Sequence, residues 1–288
     1  MHTHIKKIFT LISEKLGVAP ISRMIEMDRR LAIADYLQKH LFTNTKYTDS
    51  PRLNKYERTI YSQGGDDGII TEIFKRIGTT DSYFLEFGVG DGTQNNTVAL
   101  LLQNWKGFWI EGNNTYFNKI QKNLRQYIDS KKLQVVESFI TAENIEKIFT
   151  QNYVPKEFDF LSIDIDGNDY WIWNAITNYS PRVVVLEYNA AYGPEINFIP
   201  TYSPDYVWKR TNFYGSSLSA LTKLATEKGY SLVACSFLGN NVYFVRNDCL
   251  GNKFDTQLHN PIFAYEDHKA FLLQNSKYPV TLENGKSE

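Results

Sequence analysis

Cysteine is scarce in this chain. Cys235 and Cys249 are too few for the disulfide framework of a small secreted fold, and the expectation is reduced thiols in a cytoplasmic protein. Charge of one sign is lacking too. The 31 Lys and Arg against 32 Asp and Glu leave a formal net charge of −1, which is no electrostatic footprint for nucleic acid. No apolar run approaches the length of a transmembrane segment. The first residues are not expected to be a signal peptide, because Lys6, Lys7, Ser13, Glu14 and Lys15 interrupt the apolar positions from Ile5 to Leu16. Histidine is absent from the middle of the chain: His2, His4, His40, His259 and His268 all lie towards the ends. That removes the commonest general base from the central segment and leaves no Ser-His-Asp, Cys-His or zinc-type constellation.

What the chain does have is length and aromatic content. With 288 residues, 19 Tyr, 18 Phe and 5 Trp, it can bury a full core, and one α/β domain with appendages is expected. Residues 1–55 read as a helical N-terminal extension. Ile5, Ile8, Ile12 and Leu16 share one helical face, the pattern of a docking or dimer helix more than of a membrane-surface helix, so a homo-oligomer through the N-terminal helices is the expected association. A second helix is predicted from Ser22 to Leu41, followed by a turn-rich bridge to Asn54.

From 56 to 250 strands and helices alternate. Strands are predicted at Tyr83–Phe87, Gly107–Glu111, Leu133–Val136, Phe158–Asp164 and Arg182–Glu187, then Ser231–Phe237 and Val242–Arg246 around the hairpin signal Leu-Gly-Asn-Asn. Helices are predicted at Ile69–Ile77, from Val98 to Trp105, at Asn118–Ile128, around Ile145–Phe149, at Tyr170–Ile176 and at Ser217–Lys228. This order implies a Rossmann-like, doubly wound sheet of seven strands with the last antiparallel. Residues 251–288 read as a C-terminal extension.

The chain is organised around Tyr83-Phe-Leu-Glu-Phe-Gly-Val-Gly-Asp-Gly-Thr93. Gly88, Gly90 and Gly92 would let the backbone turn sharply and come close to a ligand. The dinucleotide fingerprint needs glycine where Thr93 stands, and a phosphate loop needs a lysine that is absent between Glu86 and Thr97. Glu86, ending the strand, suits a cationic cofactor and repels a pyrophosphate. Glu111 ends the next strand and can accept hydrogen bonds from both hydroxyls of a ribose. Ser138, past the third strand, falls where an adenine edge would lie.

The fourth and fifth strands end in acids. Asp164 and Asp166 are two apart, and Glu187, Tyr188 and Asn189 follow a run of buried-type residues. Neighbouring strands lie about 5 Å apart, which brings Asp164 and Glu187 within reach of one hard cation, Mg2+ or Mn2+, with Asn189 as a further ligand. Asp164 and Glu187 are the candidate catalytic pair, either through a metal or with Asp164 as direct base. The alternative is that Asp166 and Asp169 only cap the next helix. Tyr188, Tyr192, Tyr202, Tyr206 and Trp208 on the long loop after the fifth strand, with Asp166, would line a substrate site.

The segments YSQGGDDGII (61–70), FLEFGVGDGTQNNT (84–97), WIEG (109–112), DFLSIDIDGNDYWIW (159–173), RVVVLEYN (182–189) and YGSSLSAL with GNNVYFV (214–245) resemble the class I S-adenosylmethionine-dependent methyltransferases, FkbM-type or closely related. The resemblance implies S-adenosyl-L-methionine as cofactor, with Gln63, Glu86, Gly88, Gly90, Gly92, Glu111, Ser138 and Asp164 around it and Asp66 and Asp67 in the loop that closes over its methionine end. It also implies Asn241 on the substrate side, and O-methylation of a small-molecule or glycan acceptor: a sugar, nucleotide sugar, glycan or related compound. Glu187-Tyr188 departs from the Asp followed by Asp or Asn that metal-dependent relatives carry, which leaves the metal open. A nucleotide- or NAD-binding enzyme of similar fold and a non-catalytic Rossmann-like binding protein stand as alternatives.

Overall fold

The computed structural model describes residues 18–208 and 214–272. The helix expected from Ile5 to Leu16 lies outside the described residues. The chain forms two compact units, 1–50 and 51–288. In the first, helix α1 (Val18–Leu37) runs on into a wider turn at Gln38–Phe42. It leaves Met24, Ile25, Met27 and Leu31 exposed. Among the described residues no helix is long and apolar enough to cross a membrane.

The second unit is built on one sheet. In chain order its elements are α2 (Asp66–Ile77), β1 (Tyr83–Phe87), α3 (Val98–Leu102), β2 (Lys106–Glu111), α4 (Asn114–Asn123), α5 (Arg125–Asp129), β3 (Leu133–Glu137) and α6 (Ile145–Gln151). Then come β4 (Glu157–Ile163), α7 (Asp169–Ala175), β5 (Ser180–Glu187), α8 (Leu218–Glu227), β6 (Tyr230–Cys235) and β7 (Asn241–Arg246). The seven strands lie in the order β3-β2-β1-β4-β5-β7-β6, and β7 is antiparallel to both its neighbours. This is the Rossmann-like, doubly wound sheet of seven strands expected from the alternation, with its last strand antiparallel.

Strand alternation splits the core in two. Leu85, Phe87, Leu161, Ile163, Val184 and Leu186 join α6, α7 and α8 on one face. Phe84, Trp109, Phe160, Val183 and Val185 join α2, α3 and α4 on the other. β5 is buried on both faces, and its β-branched run suits that position. Each fully buried Leu, Val or Phe contributes about 1.5–3 kcal/mol, so a sheet with two such faces can tolerate an unfavourable site at one end.

Three differences from the expected elements matter for the site. α3 ends at Leu102, so Trp105 packs from the following turn rather than the helix. The helix expected over 118–128 is two, α4 and α5, meeting at Leu124. Residues 254–272, weakly patterned in sequence, bury Phe254, Leu258, Ala264 and Leu272, and Lys269 N–H donates to the Leu238 carbonyl at 2.7 Å.

The end of the sheet opposite the site is fixed by Asp159. This wholly buried carboxylate accepts from the backbone N–H groups of Thr80, Asp81 and Ser82, just before β1, and from Arg182 Nη1 of β5 at 2.7 Å. One side chain of β4 thereby ties both flanking strands and sets their register. Asp159→Ala leaves Arg182 buried and three N–H groups unpaired, so it should cost about 3–5 kcal/mol in urea unfolding. A loss under about 1 kcal/mol would mean that water replaces the carboxylate there.

Candidate active site

The register pairs Phe87 with Ile163 and Ile163 with Leu186, so β1, β4 and β5 end side by side. Gly88, Asp164 and Glu187 therefore meet at one edge. A cleft of about 730 Å³ opens there, lined by Gln63, Asp66, Glu86, Gly88, Gly90 and Asn96, with Asp164 and Asn241. That size is ordinary for a cofactor-sized ligand.

The three glycines have different tasks. Gly88 (φ +71°) lies against β4, where a Cβ would collide with the Asp164 carbonyl. Gly92 (φ +76°) faces inward, and a Cβ would press on Trp109, Ile120 and Leu124. Gly92 is thus a packing glycine, not a cofactor contact. Gly90 (φ +58°) meets nothing within 4 Å and faces the cleft.

Glu86 lies under this turn and is buried. Its Oε1 accepts from Asn96 N–H at 2.9 Å and its Oε2 from the Thr97 hydroxyl at 2.5 Å, and Thr97 Oγ1 accepts from Trp109 Nε1. Asn95 Oδ1 accepts from the N–H groups of Thr97 and Val98. The N–H groups at the start of α3 are therefore held internally. Burial pushes the Glu86 carboxyl up to about 7, against the pull of those hydrogen bonds.

The segment before α2 folds over the same end. Asp67 Oδ2 accepts from the N–H groups of Ile60, Tyr61 and Ser62, which closes that loop into a tight turn. Glu57 Oε1 accepts from Asn54 Nδ2 and from Phe237 N–H, pinning the loop to the end of β6. This brings Gln63 and Asp66 to the cleft. Asp66 Oδ1 accepts from Asn241 Nδ2 at 2.8 Å and from the Tyr243 hydroxyl, while Oδ2, also buried, has no partner. Burial raises its pKa.

Asp164, Asp166 and Glu187 each present a carboxylate oxygen, all within 4.8 Å of one another. Asp169 shapes the turn that carries them, accepting from Ile165 N–H and Gly167 N–H, and burial lifts it to about 6. Asp166 takes φ +55°, which swings it back towards Asp164 after the strand has ended. Asp164 is open along the cleft but enclosed by protein elsewhere. Its pKa is raised well above the usual range by burial first, then by Asp166, Asp169, Glu86 and Asp66. Glu187 is raised likewise by burial and then by Asp164, Asp169 and Asp166. The charged groups that act most strongly on this pair are acids.

Other expected residues fall elsewhere. Asn189 is wholly buried; its Oδ1 accepts from Ala191 N–H, its N–H donates to Ser216 O, and Asp166 takes the third place in the carboxylate group. Tyr188 is also wholly buried, with its hydroxyl on the Glu266 carbonyl at 2.6 Å, so it lines no substrate wall. Both corrections have one cause: the chain turns inward after Glu187. Glu111 does not line the cleft and accepts from Asn113 N–H at 2.7 Å. Ser138 is half-buried and donates to the Phe139 carbonyl. Tyr192 stacks on Phe198 at 4.2 Å, and Trp208 is largely exposed. The sequence reading missed the α4 side of the cleft: Tyr116, Lys119, Lys122 and Asn123, a polar stripe at helical spacing that was legible as such.

No protein-family model matches the chain, and no curated protein matches it. Among solved structures it is similar to an S-adenosylmethionine-dependent methyltransferase from Clostridium acetobutylicum ATCC 824, with 11% identity over 65% of this chain and 92% of that one, TM-score 0.42. It is also similar to magnesium protoporphyrin IX methyltransferase (ChlM) from Synechocystis PCC 6803 with bound SAM, with 9% identity, 76% and 97% coverage and TM-score 0.41. A third is the glycopeptide N-methyltransferase MtfA, at 13% identity, 63% and 96% coverage and TM-score 0.39. Likeness this distant says nothing of what the chain binds.

Two outcomes test the site. Gly90→Ala meets open space and should cost only about 1–2 kcal/mol for its left-handed backbone, yet weaken a bound ligand at least tenfold; Gly88→Ala should fail to fold stably. Equal ligand affinity in Gly90→Ala and wild type would remove the turn from the site. For Glu86, the folded pKa of about 7 lies above the unfolded 4.5, so the folded state holds the proton more tightly. Its stability contribution is then full below about 4.5 and is lost as pH rises towards 7, at up to about 1.4 kcal/mol per pH unit. Glu86→Gln should remove that slope from unfolding curves taken across pH 4.5–7; an unchanged slope would place the titration elsewhere.

Proposed function

We propose that this chain is an S-adenosylmethionine-dependent O-methyltransferase acting on a hydroxyl of a small-molecule acceptor. One observation carries the reading. The cleft is lined by Asp66, Glu86 and Asp164, Glu187 stands beside Asp164, and burial raises the pKa of all four, with neighbouring acids adding to it at Asp66, Asp164 and Glu187. A floor of that kind fits a cation and opposes a diphosphate. S-adenosylmethionine brings a sulfonium and an ammonium, and supplies a methyl group open to displacement.

The chain's own residues do the rest. Gly88 and Gly90 admit the ligand against the backbone, and the unpartnered Asp66 Oδ2 is an acceptor for a cationic group. Asp164 or Glu187, its pKa raised by burial and then by neighbouring acids, would take the proton of the acceptor hydroxyl. Oxygen donors from Asp164, Asp166 and Glu187 also fit Mg2+ or Mn2+, which would offset their mutual repulsion. The nucleotide-enzyme alternative draws on Lys119 and Lys122 at the outer wall, but Lys119 faces Asp91 at 3.6 Å and the floor behind it is anionic.

The test is ligand-dependent melting. S-adenosylmethionine and S-adenosylhomocysteine should raise the Tm by several degrees, and NAD and UDP-glucose should not. A shift with NAD alone would replace this reading with the nucleotide enzyme. Mg2+ or Mn2+ should add a second shift that Asp164→Asn abolishes and EDTA reverses; an identical shift in Asp164→Asn would take the cation away from this group.

A further inference from the structure

A second cavity, of about 280 Å³, lies beside the carboxylate group and is formed by Gly167, Asn168, Phe198, Tyr206 and Gly215 together with the 200–201 stretch. Two links tie it to the acids: Gly167 follows Asp166 directly, and the Cβ position of Gly215 is 3.9 Å from the Glu187 carbonyl. Resting on the methyltransferase reading, we propose that this cavity seats the acceptor, and that the acceptor is an uncharged, phenol-like ring with a hydroxyl at its edge, neither a free sugar nor a nucleotide sugar.

The walls are preformed. Phe198 is held through both backbone groups, its N–H donating to Ser217 Oγ at 2.9 Å and its carbonyl accepting from Ser217 N–H at 3.0 Å. Tyr192 stacks behind its ring, 4.2 Å away at 20°. Opposite, Tyr206 lies on Gly167 so closely that any Cβ there would strike the ring. Trp171 and Tyr202, 6.0 Å apart, brace the loop from outside, and Tyr202 donates to Glu143 at 2.6 Å. Aromatic walls fixed before binding favour a flat apolar face, since no loop has to be ordered on association.

The polar groups of the wall are largely engaged already. Asn168 Nδ2 donates to Ser203 O at 2.8 Å, and the Pro200 carbonyl accepts from Trp171 Nε1 at 2.8 Å. The Thr201 hydroxyl remains for a ligand's edge. A pyranose carries more hydroxyls than this wall can satisfy, and each one buried without a partner costs about 1–3 kcal/mol. A diphosphate would face Asp164, Asp166 and Glu187. Volume agrees, for about 280 Å³ is at the small end for ligand sites and holds one ring system.

Saturation-transfer NMR on the full chain tests this with three probes: 4-methoxyphenol, methyl β-glucoside and UDP-glucose. The phenol should show transfer, at least threefold stronger than either other probe. Phe198→Ala should weaken its apparent affinity about tenfold, and Phe198→Leu, a milder change in case the first unfolds, by a smaller factor. S-adenosylhomocysteine affinity, measured by calorimetry on the same variants, should stay within twofold. A stronger signal from the glucoside or UDP-glucose, no signal from the phenol, or a phenol signal indifferent to both variants would overturn the proposal. Cofactor binding with no phenol seat overturns this inference alone. A phenol seat with no S-adenosylhomocysteine or S-adenosylmethionine binding overturns the methyltransferase reading and, with it, the acceptor role.

Discussion

Carboxylates crowded at the carboxyl ends of β1, β4 and β5, buried and set close to further acids, are the constraint around which the second unit is arranged. Left to themselves such groups hold protons at pH values where an isolated Asp or Glu would have lost them. The sheet keeps them together because the register of β1, β4 and β5 leaves no alternative. Two fully buried faces stabilise that register, and Asp159 with Arg182 locks it from the far end. The two ends of the sheet thus treat charge in opposite ways. At one, an acid is paired with a guanidinium and three backbone donors. At the other, the acids lack a basic partner, and a ligand can supply it.

The loop before α2 extends the same logic to the cleft's entrance. Glu57 Oε1 and Asp67 Oδ2 mould and anchor it, while Asp67 Oδ1 and Asp66 Oδ2 are both buried without a partner, and of these two residues Asp66 is the one that lines the cleft. A group that satisfies its neighbours' needs but not its own is poised for something that arrives from outside. The glycine turn divides labour in a similar manner: Gly88 fits β4, Gly92 fits Trp109, and Gly90 alone faces open space.

Much of this was legible in the sequence, and the part that was not has physical causes. The strands could be read because β-branched and aromatic runs buried on both faces have few other conformations. The meeting of Glu86, Asp164 and Glu187 followed from their positions at strand ends. The N–H groups at the start of α3 are taken by Glu86 and Asn95, a tertiary choice that local pattern does not encode. Tyr188 and Asn189 continue a strand in sequence but turn into the core, so alternation past Glu187 gave the wrong face. Asp166 reached the acid group by a left-handed residue after the strand had ended, not by the two-residue period that first suggested it. The α4 stripe went unnoticed because a polar helix face is usually only solvated.

The account turns on whether the acids of the floor are the partners of a cationic ligand, and proton counting during binding measures that directly. S-adenosylmethionine would be titrated calorimetrically at pH 6.5 in buffers of different ionisation enthalpy. If Glu86, Asp66 and the Asp164 group ionise against the incoming cation, binding should release protons, with the number falling as pH is raised above 7.5. Binding with no proton release at pH 6.5, or with proton uptake, would contradict the central claim.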